Sequence, residues 1–259
     1  MIGIFYFIVI VLANSVGSVS GMGGGVIIKP VLDLVGAHDV ASISFYSAVA
    51  VFTMSIVSTT RQVKTGAKFD WKLLLLVSFG AIVGGFSGNI AFDSFLTFFG
   101  DERVVNLIQI VLTIITLLFA FLYAKYNWKS FQFKSFLWYL GCGFILGFLA
   151  SLLGIGGGPI NVSLLMLLFA MPIKQATFYS IATIFFSQLS KLVTIASTTG
   201  FVNYDLSILY YVIPAAIIGG LVGARLSNVL SEDKVLVVFQ FIIMIVLMIN
   251  IFNGIMLFT

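Results

Sequence analysis

Residues 135–173 run for 39 positions without a Lys, Arg, Asp or Glu. As one straight helix such a segment reaches about 58 Å, at about 1.5 Å per residue. The hydrocarbon core of a bilayer is only about 30 Å thick and takes about 20 apolar residues. The run must therefore break and turn back. The breaker is Gly154-Ile155-Gly156-Gly157-Gly158-Pro159, because consecutive glycines and a proline do not continue a helix. Residues 1–28 form a second charge-free run, interrupted by Gly21-Met22-Gly23-Gly24-Gly25. Each region reads as a helix that enters, breaks at its glycines and returns as a shorter helix. Residues 5–20 also resemble the apolar part of a signal peptide, but no Lys or Arg precedes them. The expectation is that they belong to the mature fold.

Further apolar runs at 40–60, 73–92, 104–124, 206–224 and 235–259 are each near one bilayer thickness. With 61% hydrophobic and 8% charged residues, the chain cannot cover a globule with hydrated surface. A soluble fold is excluded, and so are disorder and nucleic-acid binding, since 13 basic against 9 acidic residues leave only +4. The single cysteine, Cys142, cannot close an internal disulfide, and the single histidine, His38, has no partner of its kind for a metal site. No cofactor is called for. The expected fold class is an all-α polytopic membrane protein.

The two glycine breaks belong to a duplication. Residue n over residue n + 133 aligns 21–52 with 154–185 without a gap, and 12 of those 32 positions are identical. The matches include the glycines, Ala37 with Ala170, and Phe45-Tyr46-Ser47 with Phe178-Tyr179-Ser180. Further on, Gly84-Gly85-x-x-Gly88 answers Gly219-Gly220-x-x-Gly223. The division is 1–125 as a first repeat, 126–135 as a cytoplasmic connection and 136–259 as a second repeat.

Loop charge sets the expected orientation. Arg61, Lys64, Lys68 and Lys72 follow one span, and Lys125, Lys129 and Lys134 fill the connection, so both are assigned to the cytoplasm. The second-half counterpart of the first loop, Thr199 to Asp205, has no basic residue and is assigned outside. Equivalent loops on opposite sides make the repeats inverted, each a glycine-broken hairpin plus three transmembrane helices. Both termini are then external, in a multi-pass protein of the cell (inner) membrane. Trp71, Tyr126, Trp128 and Trp138 fall at the cytoplasmic boundaries, where interfacial aromatics belong.

Inverted halves with broken helices are the layout of many secondary transporters, with the site near the midplane. Two facing tips, Gly23, Gly24, Gly25 and Gly156, Gly157, Gly158, would present unpaired N–H groups and helix N-termini to an anion. The competing reading is close helix packing, and that reading is preferred for the spaced glycines 84, 85, 88, 219, 220 and 223. Ser18, Ser151 and Asn161 flank the tips, and Ser47 and Ser180 sit in the duplicated Phe-Tyr-Ser run. Over 174–199, Thr177, Ser180, Thr183, Ser187, Lys191, Thr194 and Thr198 share one helical face. Such hydroxyls bond their own backbone or line a wet path, and a stripe in register with a lysine favours the lining. Lys191 touches the ligand or snorkels, and Lys29 is similar. Asp93 and Arg225 read as interfacial, His38 as a loop residue and Cys142 as core.

The glycine motifs, with Met171-Pro172-Ile173-Lys174-Gln175-Ala176, resemble the TauE/SafE (sulfite exporter, TSUP) family over the whole chain. That resemblance implies export of small sulfur-containing anions such as sulfite, sulfoacetate or other organosulfonates. Members often carry a proline shortly after each glycine triple; Pro30 fits, whereas Ser163 stands at the second position. An anion channel and a carrier of a non-sulfur anion such as a carboxylate are the alternatives. An enzyme is disfavoured, because His-Glu-x-x-His and a Ser-His pairing are absent. A proton is one candidate coupling ion, and a homo-oligomer is compatible with the sequence.

Overall fold

A computed structural model describes residues 2–65, 70–126 and 128–257. Lys68, used above for the orientation, lies outside the described residues. The chain is helical throughout its described elements: α1 (Ile2–Ser20), α2 (Gly25–Val35), α3 (Val40–Lys64), α4 (Trp71–Phe99), α5 (Glu102–Tyr126), α6 (Phe136–Leu152), α7 (Pro159–Phe169), α8 (Ile173–Ser197), α9 (Leu209–Val229) and α10 (Glu232–Met256). Seven helices among the described residues are long and apolar enough to cross a membrane. Five fall on the expected apolar runs, and a sixth, α8, falls on the polar-striped segment 174–199. The seventh is α1, whose 19 residues end at the first glycine bend.

Both glycine segments break their helices as expected. Gly21 and Gly23, and likewise Gly154, Gly156 and Gly157, have positive φ, a conformation that side-chain-bearing residues rarely adopt. Pro159 opens α7 at its first turn, where its missing N–H costs nothing. Each hairpin closes on its own base. Tyr6 in α1 shares a hydrogen bond with His38 beyond α2, at 2.8 Å. At the second hairpin Tyr139 in α6 packs its ring 5.1 Å from Phe169 at the end of α7. Two longer helices cap themselves with aspartate. Asp39 accepts from the Ser42 amide before α3, and Asp70 accepts from the Lys72 and Leu73 amides before α4.

The halves interlock rather than sit side by side. Helix α4 packs along α6 as α9 packs along α1, α3 lies on α9 as α8 lies on α4, and α3 crosses α8. The spaced glycines make the two seams. A methyl at Gly84 or Gly88 would strike the carbonyls of Phe144 or Phe148, and one at Gly223 the carbonyl of Ser15. The preferred packing reading of these glycines therefore holds. Polar side chains point inward, Asn14, Ser18, Ser47, Ser151, Asn161, Thr183 and Lys191 among them, while many large apolar ones are exposed on the outside. That arrangement suits a lipid surround.

A matched pair of contacts ties the halves at their two ends. The Tyr46 hydroxyl donates to the Asp205 carbonyl at 3.1 Å. The Asp70 amide donates to the Tyr179 hydroxyl. Tyr46 and Tyr179 are equivalent in the duplication; Asp70 caps α4, and Asp205 caps the short 3-10 turn Leu206–Ile208 that leads into α9.

Candidate functional site

The two glycine tips meet where α3 crosses α8. A Cβ at Gly25 would overlap the Ile155 carbonyl, and one at Gly157 would stand 3.3 Å from the Met22 carbonyl. Val51 of α3 and Ile184 of α8, equivalent in the duplication, close over Gly23, Gly156 and Gly157. At each tip a helix ends and another begins. The first N–H groups of α2 and α7 have no partner within their helices, and both helices direct the positive end of their dipoles to the meeting point.

The flanking side chains divide into committed and uncommitted groups. Thr177 and Ser180 donate to the Ser20 and Gly21 carbonyls at 3.4 and 2.6 Å, so α8 holds the end of α1. Ser18 bonds Ser58 at 2.7 Å. Thr183, Ser187, Thr194 and Thr198 donate to carbonyls three or four residues back on α8. For those four the polar stripe is self-bonding, not a row of free donors. By contrast the Ser47 and Ser151 hydroxyls and the side-chain oxygens of Asn14 and Asn161 are buried without a hydrogen-bond partner. Ser47 lies against Gly25, and the Asn14 oxygen against Gly24. A buried hydroxyl without a partner is costly, so the Ser47 and Ser151 hydroxyls are ready donors to an anion placed at the tips.

Lys191 does not snorkel. It is 1% exposed and its Nζ donates to Ser44 Oγ at 2.6 Å and to the Ser151 carbonyl at 3.4 Å, with the Phe92 ring below it. It therefore caps the carbonyl end of α6, a favourable place for a cation. Lys29 is also buried, at 3%, and pairs with Asp33 at 2.6 Å. Its Cε and the Ser44 hydroxyl both abut Gly154. The two ammonium groups thus converge on the second tip. Asp93, read from sequence as interfacial, is partly buried and accepts from Asn89 at 3.2 Å.

Sequence reasoning passed over Asn14 and Asp33. Asp33 was visible in principle, since Lys29 and Asp33 have the i, i+4 spacing of a helical ion pair. Asn14 left no local signal, because its role depends on the fold-back of α2.

Beside Tyr179, one residue before Ser180, a cavity of about 270 Å³ is lined by Asp70, Gln132, Lys134, Tyr139, Gln175 and Tyr179 among others. The equivalent place at the other end is filled by Phe45 stacked on Tyr204 at 4.4 Å, with His38 edge-on to Tyr46 at 5.3 Å. There the Ser207 hydroxyl and amide hold the Asp205 carboxyl below its ordinary range. Among the described residues no group of three His, Cys, Asp or Glu side chains could hold a metal.

Comparison with known proteins agrees with this architecture. Residues 6–251 match the family model described as sulfite exporter TauE/SafE. The probable membrane transporter protein YunE of Bacillus subtilis is 24% identical over 254 residues, covering 91% of this chain and 92% of that protein. A probable membrane transporter protein of Methanocaldococcus jannaschii is 28% identical over 217 residues, covering 78% of this chain and 75% of that one. No solved structure matches.

Proposed function

The chain belongs to the sulfite exporter TauE/SafE family of membrane transporters, and from that premise we propose that it exports small sulfur-containing anions. Sulfite, sulfoacetate and other organosulfonates are the substrate class. The anion sits near the midplane between the two glycine tips, held by the N-termini of α2 and α7 and by the Ser47 and Ser151 hydroxyls. The observation that carries this reading is the meeting of the tips, Gly25 on the Ile155 carbonyl and Gly157 by the Met22 carbonyl, beside donors that have no other partner. Backbone donors suit a sulfur oxyanion because they supply several directed hydrogen bonds to its oxygens.

The halves act as inverted repeats that expose the site alternately to each side. The cavity beside Tyr179 is the cytoplasmic approach, and the ring cluster of Phe45, Tyr46 and Tyr204 closes the opposite one. Support comes from the reciprocal helix packing and the paired tyrosine contacts.

Binding of sulfite, ethanesulfonate, sulfoacetate, acetate and sulfate to the purified protein tests the reading directly. We expect saturable binding of the sulfite or sulfonate members and at least tenfold weaker acetate. Preferential acetate binding would transfer the site to carboxylates. Single-channel currents in place of saturable flux would make the protein an anion channel.

A further inference from the structure

Beyond the tips, Lys29 and Asp33 form the only ion pair among the described residues, and they form it in the interior. A buried pair of opposite charges gives little net stability, because desolvation offsets the attraction. Its position is the informative part. Lys29 runs past Gly154, at the bend of the second tip, and Asp33 lies one helical turn further from the tips on α2. One oxygen of Asp33 is taken by Lys29 at 2.6 Å, and the other is buried without a partner. Lys191, held on Ser44 beside the same glycine, carries a second buried positive charge.

We propose that this pair couples the anion to a proton. An anion bound at the second tip meets Lys29 and Lys191 and takes the place of the Asp33 carboxylate on Lys29. The released carboxylate, left in a low-dielectric interior, takes up a proton on its oxygen. One negative charge and one positive charge enter together, so the net charge of the site is unchanged. The exchange needs no large motion, since Lys29 and Asp33 are already one turn apart on the same helix.

The groups facing the pair allow this assignment. Helix α2 packs on α1, α3 and α10. From α1 comes Tyr6, bonded to His38 of the following turn, and from α3 come Tyr46 and Ser44. The acidic and basic residues of α10, Glu232, Asp233 and Lys234, lie in its first turn, whereas the end that meets α2 offers Asn253, which donates to the Pro30 carbonyl. From α8 comes Lys191, which also feels Asp93 of α4. Asp33 is thus the one carboxylate in contact with Lys29.

The inference rests on the anion-transport reading, and ethanesulfonate is the probe that keeps the two apart, because it stays ionised across the working pH. Proton uptake is read with a pH indicator in weakly buffered solution while the sulfonate is titrated into purified protein. The wild type should take up about one proton per anion bound. Asp33→Asn should bind at least as tightly, since the competing carboxylate is gone, with no uptake. If Asp33→Asn does not fold, the doubly neutral Lys29→Gln, Asp33→Asn protein serves, and it should bind at least tenfold more weakly, again without uptake. Binding by the wild type without uptake, or uptake that persists in either variant, overturns the coupling role while leaving the transport reading intact. A wild type that binds neither sulfite nor any sulfonate removes both.

Discussion

Gly158 is the residue at which the two roles of the tips can be separated. At most of the bend glycines a methyl group would strike a neighbour: Asn14 at Gly24, Ile184 at Gly157, Thr177 at Gly21. Alanine there disturbs packing whatever the ligand does, so loss of function would say little. Gly158 has an extended backbone, φ −176, and its only close neighbour is the flexible end of Ile155 at 3.2 Å. Gly158→Ala should leave the melting temperature within a few degrees of the parent. Anion affinity should fall by at least tenfold, because the methyl projects at the start of α7 where the ligand approaches. Unchanged affinity in a folded Gly158→Ala protein would move the binding site away from the tips. At this scale the sequence was informative about where the backbone bends and uninformative about which side chains are left unpaired. The bend follows from local residue preference. The free hydroxyl of Ser47 and the committed one of Ser180 occupy equivalent positions in the repeat, and only tertiary contacts distinguish them.

Among the elements, the α4–α6 and α1–α9 seams depend on bare backbone. Gly80, Gly84 and Gly88 on one helix and Gly143 and Gly147 on the other let the α4 and α6 backbones touch, the arrangement that supports helix association when lipid supplies no hydrophobic drive. Gly147→Val would force a branched side chain into the Ala81 carbonyl. Overpacking of this kind costs about 1–3 kcal/mol or more. The expected result is a lowered melting temperature and a smaller folded fraction on size exclusion, equally with and without anion. A variant as stable as the parent would mean that the seam opens without cost. Helix positions were legible from charge-free runs, because bilayer thickness sets their length. Helix α1 shows the limit: by length and composition its 19 apolar residues suffice for a crossing, whereas the glycine break after it and the contact of Tyr6 with His38 show α2 folding back along it.

For the whole molecule, the orientation is the testable statement. Basic residues crowd Arg61 to Lys72 and are missing from Thr199 to Asp205. Single cysteines at position 64 and position 201, in a background with Cys142 replaced, should react with a membrane-impermeant reagent from the cytoplasmic and external sides respectively. Reaction of both from one side would rule out inverted halves.

The interlocking of the halves also bears on how the chain is made. Helix α1 enters the membrane first, yet the surface it packs against belongs to α9. The Tyr46 hydroxyl likewise waits for Asp205. While the ribosome is still working through the second repeat, the first repeat has its glycine-lined seam open to lipid and its bend unsupported by Thr177 and Ser180. Neither half is thus a finished unit by itself. Splitting the chain in the 126–135 connection and expressing the pieces together should restore the fold, and either piece alone should be cleared by membrane proteases.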